Sequence, residues 1–160
     1  MEGKKNFVIN EKKLNKLFSV QVTKRKYDGW KHSPLFEKMG GLYGLCIGAE
    51  RKREITVKIR FKMDLPWVIF DEVRKKLRDE YETVDKCKVT DYWLTEFQRS
   101  WIQDFRGEVD QEAKEYCKRI REEIKEEIRE ILKEVIEETD FEIWNTEFEE
   151  LKDLGVIREI

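Results

Sequence analysis

Ile55-Thr56-Val57-Lys58-Ile59-Arg60-Phe61-Lys62-Met63 alternates apolar and polar side chains without a break. A period of two puts Ile55, Val57, Ile59, Phe61 and Met63 on one face of a β-strand. Thr56, Lys58, Arg60 and Lys62 then share the other face. A polar outer face belongs to a sheet that is covered on one side only.

Working outward, Phe18, Val20 and Val22 alternate with Ser19, Gln21 and Thr23, which predicts a second half-buried strand ending near Tyr27. Tyr43, Leu45 and Ile47 alternate with Gly44 and Cys46 and predict a third. Residues 48–53 read as a turn, so the strand at 43–47 is expected to form a hairpin with 55–63. Asn10 is a good N-cap for a short helix carrying Leu14, Leu17 and Phe18. Between the strands, Ser33 and Pro34 open one or two helical turns that Gly40 and Gly41 close.

After Asp64 the period changes to that of a helix. Pro66 suits a first turn, and Trp67, Phe70, Val73, Leu77 and Tyr81 predict a helix to about residue 82. Residues 84–89 fit a short strand or a loop. Leu94, Phe97, Trp101 and Phe105 predict another helix over 91–106, closed by Gly107. Ala113, Cys117, Ile120, Ile124, Ile128, Ile131 and Val135 then recur at helical steps and predict one long helix over about 109–138. Their eleven-residue repeat fits a nearly straight helix rather than a left-handed heptad coil. Thr146 and Glu149 suggest a capping box for a last helix that Gly155 ends.

The expected fold is therefore α+β: a small, mainly antiparallel three- to four-stranded sheet covered on one face by helices, with a long C-terminal helix. With 160 residues and no Pro/Gly/Ser-rich linker, 1–160 reads as a single domain. Residues 1–63 form a basic, sheet-rich half and residues 64–160 an acidic, helical half.

Charge is sharply segregated. Residues 1–62 hold 16 Lys and Arg against 6 Asp and Glu, a net of +10, whereas residues 107–160 hold 9 against 19, a net of −10. Several cations fall at predictable places. Lys24, Arg25 and Lys26 end the strand of 18–27. Arg51, Lys52 and Arg53 sit in the expected hairpin turn, and Lys58, Arg60 and Lys62 share the outer face of 55–63. Cations at a two-residue period can follow a phosphate backbone, so the sheet face is expected to bind DNA or RNA. Tyr27, Asp28, Gly29, Trp30, Lys31 and His32 add aromatics beside cations, the chemistry of base stacking. Two other outlets exist for the same charges. They can pair with the acidic helices of the same chain, or meet a second copy. The apolar stripe of 109–138 broadens at Ile131, Leu132, Val135 and Ile136, which suits a homodimer surface if nothing else covers it.

Enzyme chemistry finds less support. A metal-dependent nuclease would use two carboxylates and a lysine around Mg²⁺, and Asp28, Glu50 and Lys52 stand in a tolerable order for it. Glu-x-Lys nevertheless occurs six times in this Glu- and Lys-rich chain. His32, the single histidine, is the only side chain whose ordinary pKa lies near neutrality. No phosphate-cradling glycine loop or nucleophile motif is present. Cys46, Cys87 and Cys117 lie too far apart for a zinc site and read as reduced thiols, so neither metal nor cofactor is expected. No apolar run approaches a membrane span and Met1 to Lys5 leads into no signal core, which points to a cytoplasmic protein. A charged fraction of 42% with only four Asn and four Gln points to a thermophile.

Overall fold

A computed structural model describes residues 5–27, 51–84 and 93–160. In chain order the elements are β1 (Phe7–Ile9), α1 (Glu11–Leu14), β2 (Phe18–Lys26), β3 (Lys52–Lys62), α2 (Trp67–Leu77), β4 (Glu82–Val84), β5 (Trp93–Asp104), α3 (Val109–Glu138), α4 (Asn145–Asp153) and β6 (Ile157–Glu159). Four strands form one antiparallel sheet in the order β2-β3-β5-β4, and β1 pairs with β6 in a separate two-stranded sheet. The α+β expectation holds: helices cover one face of the four-stranded sheet, and the long C-terminal helix spans 30 residues.

The alternation in β3 holds to Lys62, where the strand ends, while Met63, expected on the apolar face, lies beyond it and is exposed. Arg53, Ile55, Val57, Ile59 and Phe61 are buried, and every residue between them is half-exposed. Both edges of β3 are paired, to β2 with Phe18 opposite Phe61, and to β5 with Ile55 opposite Trp101. The strand expected over 43–47 and the helical turns after Ser33 lie outside the described residues, but the hairpin expected between 43–47 and 55–63 is overturned, because β2 and β5 occupy both edges of β3. Lys52 and Arg53, expected in a turn, are the first residues of β3 instead.

Phe61 sits at the centre of the core. Its ring lies 6.0 Å from that of Phe70 on α2, 5.9 Å from Phe97 on β5 and 6.3 Å from Phe18 on β2. The pairs with Phe70 and Phe97 are edge-to-face, a packing that adds roughly 1 kcal/mol per pair to the burial of each ring, and the pair with Phe18 is tilted. α3 crosses the same face antiparallel to β2. Lys24 Nζ donates to the Asp110 carbonyl near its start (3.0 Å), Arg121 Nε donates to the Val20 carbonyl (3.0 Å), and Lys133 reaches Glu11 near its end (3.1 Å).

Within the helix expected over 91–106, residues Trp93–Asp104 form strand β5 instead. Phe97, Trp101 and Phe105 recur in steps of four, which keeps residues on one side of a helix but also on one face of a strand. Arg99 and Gln103 fill the intervening positions of that face, and their polarity masked the alternation. Both have partners there. The Arg99 guanidinium lies over the rings of Tyr81 (5.1 Å) and Trp101 (5.0 Å), and Gln103 accepts from the Tyr116 hydroxyl (3.2 Å).

Smaller corrections follow the same packing logic. α2 stops at Leu77, and Tyr81 is buried beyond its end. α4 begins at Asn145 with no side-chain cap, so the Thr146/Glu149 capping box does not form. Trp67 and Trp144 are 61% and 43% exposed, and Trp101 is half-buried on β5 rather than on a helix. The broadened stripe of α3 is covered by this chain itself. Leu132, Val135 and Ile136 are buried in one cluster with Leu14, Phe70, Phe148 and Val156.

Candidate nucleic-acid interface

The cations singled out from the sequence separate into two groups. Alternation along β2 and β3 sends Arg25, Lys52, Lys58, Arg60 and Lys62 to the open face of the sheet. Lys24, Lys26 and Arg53 point to the helix-covered face. A strand register brings the second group together with its neighbours. Lys26 lies opposite Arg53, Arg53 opposite Gln103, and Lys52 opposite Asp104, while Phe105 N donates to the Arg51 carbonyl at 2.9 Å. The end of β2, the start of β3 and the end of β5 therefore meet at one end of the sheet. Lys24, Arg25, Lys26, Arg51, Lys52, Arg53 and Arg106 gather there.

Not all of them face solvent freely. Arg53 is 9% exposed. It donates to the Lys52 carbonyl at 2.9 Å and approaches Asp110 at 3.4 Å, fastening β3 to the start of α3. Arg25 pairs with Glu54 at 2.7 Å yet keeps 71% of its side chain exposed. Lys24 bonds the start of α3, as above. Lys26, Arg51 and Arg106 are exposed. Arg106 was missed in the sequence because it ends a segment read as a helix. The acidic side chains of Glu54, Asp104, Glu108 and Asp110 stand at the same end, so the cationic field there is partly neutralised from within.

The open face is mostly polar, with exposed Ile102 opposite Glu54 an apolar exception. Lys58 stands between Gln21 and Gln98, and Thr56 between Thr23 and Ser100, with Thr56 Oγ1 3.0 Å from Ser100 Oγ. Arg60 stands between Ser19 and Glu96 and pairs with the latter at 3.3 Å. Lys58 and Lys62 form no ion pair among the described residues. Trp30, Lys31, Asp28, His32 and Glu50 lie outside the described residues. The chain leaves Tyr27 and returns at Arg51, both at the cationic end. Of the nuclease set Asp28, Glu50 and Lys52, only Lys52 is described. Among the described residues no group of three His, Cys, Asp or Glu is placed to hold a metal ion.

A second strip, along the helix-facing side of β5, escaped the sequence reading. Arg99 lies over Tyr81 and Trp101, Trp101 Nε1 donates to the Tyr116 hydroxyl at 3.0 Å, and Arg119 lies 5.3 Å over the Tyr116 ring. The carboxylates of Glu80 and Glu127 border Arg99, and burial together with the charge of Glu80 pushes the Glu127 carboxyl above its ordinary range. That acidic border makes the strip a poorer place for phosphate than the sheet end. Burial also pushes the Cys117 thiol up, offset in part by Lys24, which leaves it a packing residue rather than a nucleophile. No helix among the described residues is long and apolar enough to cross a membrane. Comparisons with protein-family models, with curated proteins and with solved structures find no match for this chain.

Proposed function

We propose that this chain binds nucleic acid without catalysing a reaction on it, using the cationic end of the sheet and the adjoining open face. The supporting observation is the convergence of exposed Arg25, Lys26, Arg51 and Arg106 from three strand ends. Strand ends lie about 5 Å apart, so such cations stand close enough together to contact neighbouring phosphates of one backbone. Lys58 and Lys62 extend the track along β3, between hydroxyl and amide side chains that can donate to phosphate oxygens. Trp30 and Lys31 belong to the proposal as stacking and phosphate partners, on the segment that joins Tyr27 to Arg51. Arg53 and Arg60 are left out of the contact set because each has a carboxylate partner and keeps only 10% and 33% of its side chain exposed, whereas the paired Arg25 keeps 71%.

The test is a titration of labelled single-stranded and duplex DNA and RNA across salt. Binding at low salt is expected, with a slope that flattens by roughly 0.7–0.9 for each phosphate contact removed. Lys26→Ala, Arg51→Ala and Arg106→Ala in one variant should flatten it by about two to three such steps. No binding to any of the four probes at low salt defeats the reading. Two subsidiary readings accompany it. Branched ion pairs, such as Lys76 with Glu134 and Glu138, support an origin at high temperature, checked by the melting temperature. The buried free thiol of Cys117 fits a reducing compartment such as the cytoplasm.

A further inference from the structure

The two ends of α3 differ in character. Its first turn meets the cationic end of the sheet, and its last turns lie with α2 and α4, about 40 Å away at 1.5 Å per residue. From residue 134 to residue 153 the sequence holds nine carboxylates and one lysine. The same end exposes large apolar side chains: Ile143 is 71% exposed, Trp67 61%, Met63 48% and Trp144 43%. Met63, Trp67 and Leu154 line a shallow groove of about 500 Å³ whose other walls include Asp64, Glu150 and Asp153. Beside it, Val68 and Trp144 line a second depression flanked by Glu72 and Glu138. Exposed aromatic anchors inside a charged rim are the composition of a protein interface rather than of an ordinary solvated surface.

The rim decides what can dock. Two such ends repel each other, so a symmetric pairing of acidic end on acidic end is disfavoured. The opposite sign is offered by the cationic sheet end, and 40 Å of helix separates the two ends within one chain. We propose that the acidic, tryptophan-bearing end of one copy docks on the cationic sheet end of a second copy, in a head-to-tail contact. A heterologous contact of this kind does not close on itself at two copies, so assembly proceeds to open chains or a ring. The contact uses the surface proposed for nucleic acid but does not depend on that proposal. If nucleic acid fails to bind, self-assembly remains to be seen or refuted independently. If both occur, nucleic acid competes with assembly.

Sedimentation velocity on the whole chain tests this without any substitution. The average mass should rise with concentration past that of a dimer, and return to the 19.5 kDa of one chain as salt is raised. Two exposed-surface variants then test the pairing of unlike ends. Ile143→Lys with Glu150→Lys should spoil the acidic end, and Lys26→Ala with Arg106→Ala the cationic end, so that the two spoiled ends do not attract each other. Each variant alone should sediment as a monomer. Mixed in equal amounts they should form a one-to-one dimer and nothing larger, because each retains the end that the other needs. A wild-type monomer at every concentration, a closed symmetric dimer, or variants that assemble as the wild type does would each overturn the proposal.

Discussion

Arg60 Nη2 lies 3.3 Å from Glu96 Oε1, across the open face from β3 to β5, and the Glu96 side chain is only 2% exposed. A carboxylate taken this far out of water needs its cation. Removing one partner of a buried pair costs about 3–5 kcal/mol, and less where the lost partner, like Arg60, keeps a third of its side chain in solvent. Arg60→Ala should therefore destabilise the fold by about 1–3 kcal/mol, read as a lower urea midpoint. Lys58→Ala and Lys62→Ala, on the same face without such a partner, should stay within about 0.5 kcal/mol of wild type. Equal stability in all three would mean that Arg60 is free to serve nucleic acid as Lys58 and Lys62 are proposed to do.

That contrast also shows where sequence reading stopped. Strict alternation made β3 and most of β2 readable, because each apolar side chain has one place to go when one sheet face is covered. The 30-residue α3 was readable for the same reason at a helical period, with Asn10 and Gly155 marking a start and a stop elsewhere. β5 was not, since Phe97, Trp101 and Phe105 are spaced for either structure and Arg99 owes its inward place to Tyr81 and Trp101. β1 and β6 are three residues each and pair across almost the whole chain, a contact that no local pattern announces. For the candidate interface, the sequence showed which residues are cationic. The register was needed to show that strand ends distant in sequence meet, and that Arg53 and Arg60 have acidic partners.

Glu127 carries a pH-dependent cost. Burial, the charge of Glu80 and a hydrogen bond with Glu80 raise its carboxyl, and Arg99 only partly opposes them. A raised folded pKa means that the folded chain holds this proton more tightly than the unfolded chain does. Stability from this group is thus present below the ordinary carboxylate range and lost as pH rises through the raised value. Glu127→Gln should accordingly stabilise the protein at pH 7, and the gain should vanish as pH falls below about 4. Thermal melts of both proteins across pH check this; a gain that persists unchanged in acid would locate the cause elsewhere.

Tyr81 points the same way at the other end of the pH scale. Its hydroxyl is buried and has no hydrogen-bond partner among the described residues, and burial, with the charge of Glu127 adding, pushes its pKa up to about 12. Below the ordinary tyrosine value of about 10 both folded and unfolded chains keep the proton. Between there and 12 the folded chain alone keeps it, so this group makes stability fall as pH rises through that window. Tyr81→Phe removes both the orphaned hydroxyl and the titration. Neutral-pH stability should hold or rise by up to about 1 kcal/mol, and the alkaline decline should be shallower. A clear loss of stability in Tyr81→Phe would show that the hydroxyl has a partner in solution.

Gly155 closes α4 in a conformation that other residues resist. Its φ is +76°, and it lies in a left-handed cap where Gly155 N donates to the Lys152 carbonyl (2.9 Å) and Val156 N to the Leu151 carbonyl (3.0 Å). A methyl group added there would meet Lys13 Cε at 3.6 Å, an ordinary contact, so space is not the obstacle. The cost of Gly155→Ala is that of the left-handed backbone itself, about 1–2 kcal/mol. Gly155→Asn should lose less, since asparagine tolerates this region. The reversal matters beyond the helix end: it turns the chain so that Val156 O accepts from Asn10 N at 2.8 Å and β6 reaches β1. Amide exchange in Gly155→Ala should therefore quicken first at Asn10 and along the β1–β6 pair, before the core of β3 responds. Uniform acceleration across the chain would instead mean that the small sheet unfolds only together with the large one.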